Sequence, residues 1–279
     1  MLEQFHAIKD LKLAVIGHQE WVNFLIVDAL PTAGLISRAS RSLEEPAGGG
    51  AVVAVQLAQR TGRRVSFFTA LGRDHIAERS VKRLQDLGVD PFVAWREGPS
   101  RRGISLSDAS GDRAITVIGE RHTPGPTDKL PWHLLETCDG VFVSATDAAG
   151  LKLARKARIL TATPRLGMDV LQSAEIQLDA LIGSDLDPGE QIEHQLLKQK
   201  PRLIVATKGA EGGVMDPGGS YKAIPASGPI IDTYGCGDSF AAGVTAGLAA
   251  GFSADDSVRL GAQWGADCAT RFGPYGKSD

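Results

Sequence analysis

The stretch DTYGCGDSFAAG, residues 232–243, decides how this chain is read. Glycine, cysteine and glycine lead directly into Asp238, and beyond it Phe240, Val244 and Leu248 recur every fourth residue among Ala, Gly and Thr. That spacing predicts a closely packed helix ending near Gly251. The glycine run is then the helix N-terminus, where the first N–H groups lack intrahelical partners and the dipole is positive, so anions are attracted. Small residues let a ligand's oxygens approach the backbone. A carboxylate just inside such a cradle either caps the helix or takes a proton from a nucleophile while the backbone holds the electrophile's charge.

Outward from this stretch, short β-branched runs alternate with helical patterns. LKLAVIG (11–17), RRVSFFTALG (63–72), CDGVFVSA (138–145), DALIGS (179–184) and PRLIVATKG (201–209) read as strands. Residues 50–62, 75–88, 149–159 and 188–200 carry apolar residues at i, i+3 or i+4 and read as helices. The alternation predicts an α/β fold with a mostly parallel central sheet flanked by helices, one domain over 1–279. Residues 18–47 and 91–120 break the rhythm; in the second, RGISLSD and RAITVIG flank the turn signal ASGD. Parts of these two segments are expected to form a small antiparallel β lid.

Composition narrows the function. The chain has 279 residues, is 43% hydrophobic and carries a net charge of −3 with acids and bases mixed, enough apolar content for a sizeable core and no electrostatic footprint for nucleic acid. No apolar window reaches membrane-span length and the N-terminus lacks a signal-peptide pattern, so no membrane partner and a cytoplasmic location are expected. Cys138, Cys236 and Cys268 have no Cys-x-x-Cys spacing and read as reduced thiols. The basic run 152–158 reads as a solvated helix face.

The signature DTYGCGDSFAAG resembles that of the ribokinase-like, PfkB-type carbohydrate kinases, Asp-Thr-x-Gly-Ala-Gly-Asp followed by a small-residue helix. AGGGAVVAVQLAQRTG (47–62) is similar to the family's glycine pair and following helix, VDALPTAG (27–34) to the segment before it, residues 70–90 to its Gly-x-Asp helix, and TKGAEGG (207–213) to its Thr-x-Gly-x-x-Gly. The likeness runs in order from about Val15 to Gly273. It implies a ribokinase-like fold and phosphoryl transfer from ATP, with Mg²⁺, to a hydroxyl of a sugar or sugar-like small molecule. It also admits a homodimer through the lid.

Carried over residue by residue, the resemblance makes Asp238 the general base and the backbone of Gly235, Cys236 and Gly237 an anion hole. Thr207, Gly209, Gly212, Thr233 and Gln263 fall on the nucleotide side, and Gly49 in the glycine pair falls on the acceptor side. The family's metal-organising Asn-x-x-Glu is reduced here to Ser184 and Asp187, with Asp185 or Glu190 available to compensate. Cys236 stands where alanine is usual and reads either as a small filler or as a thiol activated by the helix N-terminus.

The acceptor side departs further. Val22 replaces an aspartate that grips sugar hydroxyls and Val53 replaces an asparagine, so two hydrogen-bonding groups have become methyls, each loss worth roughly 1–3 kcal/mol to a buried hydroxyl. If 18–22 is extended, His18 and Glu20 share the face of Val22, and Gln56 lies one turn from Val53, so Glu20 and Gln56 are candidate acceptor contacts. Arg102, opening a lid strand, reads either as a contact to an anionic acceptor such as a sugar phosphate or as a side chain that only faces water. Two other readings stand beside the sugar kinase: a nucleoside kinase of the same fold, and a non-catalytic nucleotide- or metabolite-binding relative.

Overall fold

The computed structural model describes residues 7–108, 113–191 and 193–276. The first half contains β1 (Leu13–Ile16), β2 (Glu20–Val27), β3 (Ala39–Ala47), α1 (Gly49–Thr61), β4 (Val65–Gly72), α2 (His75–Asp86), β5 (Val89–Arg96), β6 (Arg102–Ser107) and β7 (Arg113–Ile118). There follow β8 (Gly140–Val143), α3 (Ala148–Ala154), β9 (Ile159–Ala162), α4 (Met168–Ala174), β10 (Ala180–Ser184), β11 (Leu203–Thr207), β12 (Gly213–Asp216), β13 (Gly219–Tyr221), α5 (Cys236–Ala249) and α6 (Ala254–Ala269).

Among the described residues, nine strands form one sheet in the order β13-β12-β11-β10-β9-β8-β1-β4-β5. It is parallel from β5 to β11, and a hairpin of β12 and β13 closes one edge antiparallel. The core explains the order: the central strands β1 and β8 are buried at every position, as strands covered on both faces must be. From β1 the chain winds out to β4 and β5, then returns to β8 and winds the other way. The carboxyl ends of β1 and β8 are therefore a topological switch point, where open α/β sheets bind ligands. Gly17, His18 and Ser144 lie there, with the Ser144 N–H bonded to the Ile16 carbonyl at 2.9 Å.

The second sheet runs β3-β2-β6-β7. Its outer pairs are antiparallel as expected, but the central pair β2 and β6 is parallel, because the chain makes a long excursion through α1 to β5 between them. The turn 109–112 lies outside the described residues. Residues 89–96 are a strand of the large sheet rather than part of the lid.

One helix expectation is corrected. Residues 188–200, read as helical, contain only short 3₁₀ turns among their described residues. Pro188 and Gly189 open the segment, Leu196 is 58% exposed and Leu197 is only partly buried, too little apolar face to sustain a helix.

The small residues after Asp238 set how deeply α5 is seated. A Cβ on Gly243 would meet the Gly261 Cα of α6 at 2.6 Å, and one on Gly247 would meet the Ser257 Cα at 2.8 Å. The two helices thus touch backbone to backbone, which fixes the axis that carries Asp238.

Candidate active site

The approach to α5 is tied down by Asp232. Its carboxylate accepts from the Tyr234 N–H at 2.9 Å, the Gly273 N–H at 3.2 Å and the Ser107 hydroxyl at 3.4 Å. Tyr234 carries the restraint onward, since its hydroxyl accepts the Gly48 N–H at 3.2 Å and so joins the N-termini of α5 and α1. Gly235 is the helix cap at φ 80°, and a Cβ there would also sit 3.1 Å from Pro274 and Val52. No side chain caps this helix.

The amides behind the cap are largely unengaged. The Cys236 N–H makes a long bond, 3.4 Å, to the Thr233 carbonyl, whereas among the described residues the N–H groups of Gly235, Gly237 and Asp238 donate to no protein acceptor. The glycines have different reasons. Gly235 needs its left-handed backbone, while Gly237 has no heavy atom within 4 Å of where a Cβ would stand, so the fold itself imposes no glycine there.

Asp238, in the first turn, is half-buried and does not act as the cap. Burial and then the negative charge of Glu190 push its carboxyl up to about 6, against the pull of Arg165 and Arg113. A Cβ on Gly49, the first residue of α1, would lie 3.1 Å from Asp238 Oδ1, 3.6 Å from the His18 ring and 3.8 Å from Ser144. Two glycine-led helix N-termini therefore converge on one carboxylate.

On one side of this point lies a cavity of about 570 Å³, large enough for a nucleoside. Thr207, Gly209, Gly212, Thr233, Cys236 and Gly237 line it, and Ile224, Phe240, Ala262, Gly265 and Ala266 supply apolar wall. Gln263 is a correction. It is exposed and donates to Asp267 at 2.9 Å, on the face of α6 turned from the cavity, since helical geometry puts Ala262 and Gly265 where Gln263 was expected. The Cys236 thiol sits against Cys268, and that contact together with burial raises its proton affinity, so it is held as a thiol.

On the other side is a polar recess under the second sheet. His18 and Glu20 share a face as expected, both within 3.2 Å of a Cβ placed on Gly48. Glu20 is 7% exposed and paired with Arg101 at 2.9 Å. Val22 packs on Gly103 in the hydrophobic core, and Val53 is in the core as well. Gln56 is corrected: its amide donates to the Pro274 carbonyl at 2.7 Å and so pins the C-terminal loop rather than facing the recess. Arg102 is corrected too, being exposed on the lid strand while its neighbour Arg101 turns inward.

Residues 167–279 match the profile described as pfkB family carbohydrate kinase. The chain is related to the PfkB carbohydrate kinases. It is similar to the ribokinase of Lactococcus lactis subsp. lactis, 25% identical over 264 residues, covering 89% of this chain and 87% of that protein. It is likewise similar to the 1-phosphofructokinase of Rhodobacter capsulatus, 24% identical over 294 residues, covering 95% and 92%. The Arabidopsis thaliana ribokinase, solved in complex with ribose and ATP, superposes with a TM-score of 0.71 at 18% identity, covering 94% of each chain. The fold is ribokinase-like.

Within this PfkB-type frame the metal expectation changes. The Ser184 hydroxyl accepts the Leu186 N–H at 3.1 Å, and Asp187 is bound by Arg165, which also takes Glu190 at 2.6 Å. Asp187 and Glu190 thus share one guanidinium, and Asp185, the remaining carboxylate considered for the metal, lies 3.5 Å from the Lys208 ammonium. Among the described residues no group of three or more His, Cys, Asp or Glu could hold a metal ion. No described helix is long and apolar enough to cross a membrane.

Sequence reading missed Arg101, Arg121, Arg165 and Arg113. Arg113 stands over the Tyr234 ring at 5.7 Å, and Arg121 lies in the segment after β7. Arg113 opens β7, Arg165 sits in a 3₁₀ turn and Arg101 and Arg121 flank strands, positions that share no spacing signal. Only their convergence in space marks them.

Proposed function

We propose that this chain is a PfkB-type carbohydrate kinase that transfers the γ-phosphoryl group of ATP to a hydroxyl of a sugar-like acceptor, with Asp238 as general base. The observation that carries this reading is the placement of Asp238. Its carboxylate, raised to about 6, stands beside N–H groups of Gly235 and Gly237 that no protein atom uses, between an apolar cavity and a polar recess. A base near that value is mostly ionised at neutral pH yet retains proton affinity, the compromise that general-base catalysis favours. A base placed for helix capping alone would accept backbone N–H groups, and Asp238 caps nothing.

In this reading the adenine and ribose occupy the cavity lined by Thr207, Gly209, Gly212 and Thr233. ATP supplies the phosphoryl group and Mg²⁺ lowers its negative charge. With Asp187 and Glu190 engaged by Arg165, the ion would be held chiefly by phosphate oxygens and water, as is usual for Mg²⁺. The acceptor lies in the recess beside His18, Glu20, Gly49 and Ser144. Asp238 removes the proton of the attacking hydroxyl, and the amides of residues 235–237, with the helix dipole, stabilise charge spread over the phosphoryl oxygens. Arg165 and Arg113 keep Asp238 from rising further.

ADP formation from ATP and Mg²⁺, measured with pentoses, hexoses, sugar phosphates, sugar acids and nucleosides, tests the proposal. Turnover of a sugar or sugar derivative is expected. Turnover of nucleosides alone would replace the acceptor class, and nucleotide binding without any turnover would leave a binding protein.

A further inference from the structure

We propose that the donor site recognises a purine nucleotide by shape rather than by the hydrogen-bonding edge of its base, so that GTP and ITP serve as phosphoryl donors alongside ATP. The inference deepens the kinase reading and rests on it for the transfer itself, whereas base recognition is tested by binding alone.

The cavity beside α5 lacks the groups that tell one purine from another. Adenine presents an amino donor at C6, whereas guanine and hypoxanthine present a carbonyl acceptor there. The side chains that separate these patterns have fixed polarity or two polar atoms at a fixed spacing: Asn, Gln, Asp, Glu, Arg or Lys. Of the eighteen residues that line the cavity, none is of these types. Only Thr207, Tyr221, Thr233 and Cys236 bring a polar side-chain atom to it.

Each of the four is a poor reader of the base. A hydroxyl turns to donate or to accept as its neighbour requires, so Thr207 and Thr233 suit an amino group and a carbonyl oxygen equally. A thiol is weak in both roles, and that of Cys236 sits against Cys268. The Tyr221 hydroxyl is buried without a partner, 2.5 Å from where a Cβ on Gly213 would stand, so the ring and not the hydroxyl faces the cavity. Gln263, the only amide side chain of α6, points away and is bonded to Asp267 at 2.9 Å.

What the walls supply is apolar and aromatic surface. Tyr221 and Phe240 both border the cavity, with ring centroids 6.1 Å apart and planes 21° from parallel. Contact with an aromatic face tolerates any base, since every base has a π-face. Ala262 and Ala266 follow one turn apart on α6, both half-buried and both lining the cavity. The main chain of residues 223–226 is the remaining polar surface. Among the described residues none of its groups is held in a backbone hydrogen bond, and a peptide offers an acceptor to the amino group of adenine as readily as an N–H to the carbonyl of guanine. An apolar wall favours ligands by the area they remove from water, which separates purines from the smaller pyrimidines but not one purine from another.

Calorimetry with ADP, GDP, IDP, CDP and UDP in the presence of Mg²⁺ tests the inference, and kcat/KM for the corresponding triphosphates follows with an acceptor that is turned over with ATP. The three purine diphosphates should bind within about 30-fold of one another, where a site built to hydrogen-bond one base would separate them by about 10⁴-fold. The pyrimidines should bind about five- to tenfold more weakly than ADP. Ala266→Leu fills part of the cavity and should weaken ADP and GDP alike by at least about tenfold; Ala262→Leu, one turn away, repeats the measurement if the first variant folds poorly. A preference above about 30-fold for one purine base, pyrimidine binding as tight as that of ADP, or full ADP binding in a folded leucine variant would overturn the proposal, while turnover with ATP would still uphold the kinase reading. Purine diphosphates bound alike without turnover of any acceptor would sustain the base site and refute the kinase reading. No nucleotide bound at all would refute both.

Discussion

Replacing Asp238 by asparagine should stabilise the protein at neutral and alkaline pH while removing its activity. The fold raises this carboxyl from 3.8 to about 6, chiefly by burial and by the charge of Glu190. A tenfold change in proton affinity is ~1.4 kcal/mol, so the ionised side chain costs about 3 kcal/mol at most. Water in the open cleft screens part of this, and we expect a gain of about 1–2 kcal/mol in Asp238→Asn. The sign follows from linkage: with the folded value above the unfolded one, the favourable contribution of the protonated acid is fully present below 3.8 and is lost as pH rises through about 6. The gain of the asparagine variant should therefore be at its plateau at pH 8 and mostly gone by about pH 4. Urea denaturation of both proteins at the two pH values measures it. A variant less stable than wild type at pH 8, or displaced equally at both, would refute the reasoning.

Two further substitutions separate what the glycines do. Gly237→Ala puts a methyl where no protein atom lies within 4 Å, so stability should hold or rise by up to ~1 kcal/mol, while kcat/KM should fall about 10- to 100-fold because the methyl enters the anion cradle; full activity in a well-folded variant would remove Gly237 from the site. Gly243→Ala drives a Cβ to 2.6 Å from the Gly261 backbone and should cost about 1–3 kcal/mol in urea denaturation, and a stability matching the wild type would mean that α5 and α6 are not in backbone contact.

Where a residue's neighbours lie along the chain, the sequence reading and the structure agree. The GCG run could be assigned to a helix N-terminus because caps and small-residue periodicity are local, and α5 begins at Cys236. Gln263 was displaced from the nucleotide side for a reason equally local, one step of about 100° around α6, which no motif constrained. Gln56 was misplaced because its partner, the Pro274 carbonyl, lies 218 residues away. Which way Arg102 faces depends on the register of its strand with β2, which the local sequence does not set. Arg165 could not be paired with Asp187 and Glu190 from sequence, because β9 and β10 bring them together only when the parallel sheet forms. Periodicity and caps are encoded locally, whereas charge balance is a property of the assembled cleft.

The central claim is that the carboxylate of Asp238 takes the acceptor's proton, and the pH dependence of kcat/KM for wild type and Asp238→Asn tests it most directly. The account expects the wild-type value to fall tenfold per pH unit below about 6, where the carboxylate protonates. Asp238→Asn should lose at least about 1000-fold and show no such acid limb, with ATP binding intact. An asparagine variant that turns over at the wild-type rate, or that keeps the acid limb of the wild type, would contradict it.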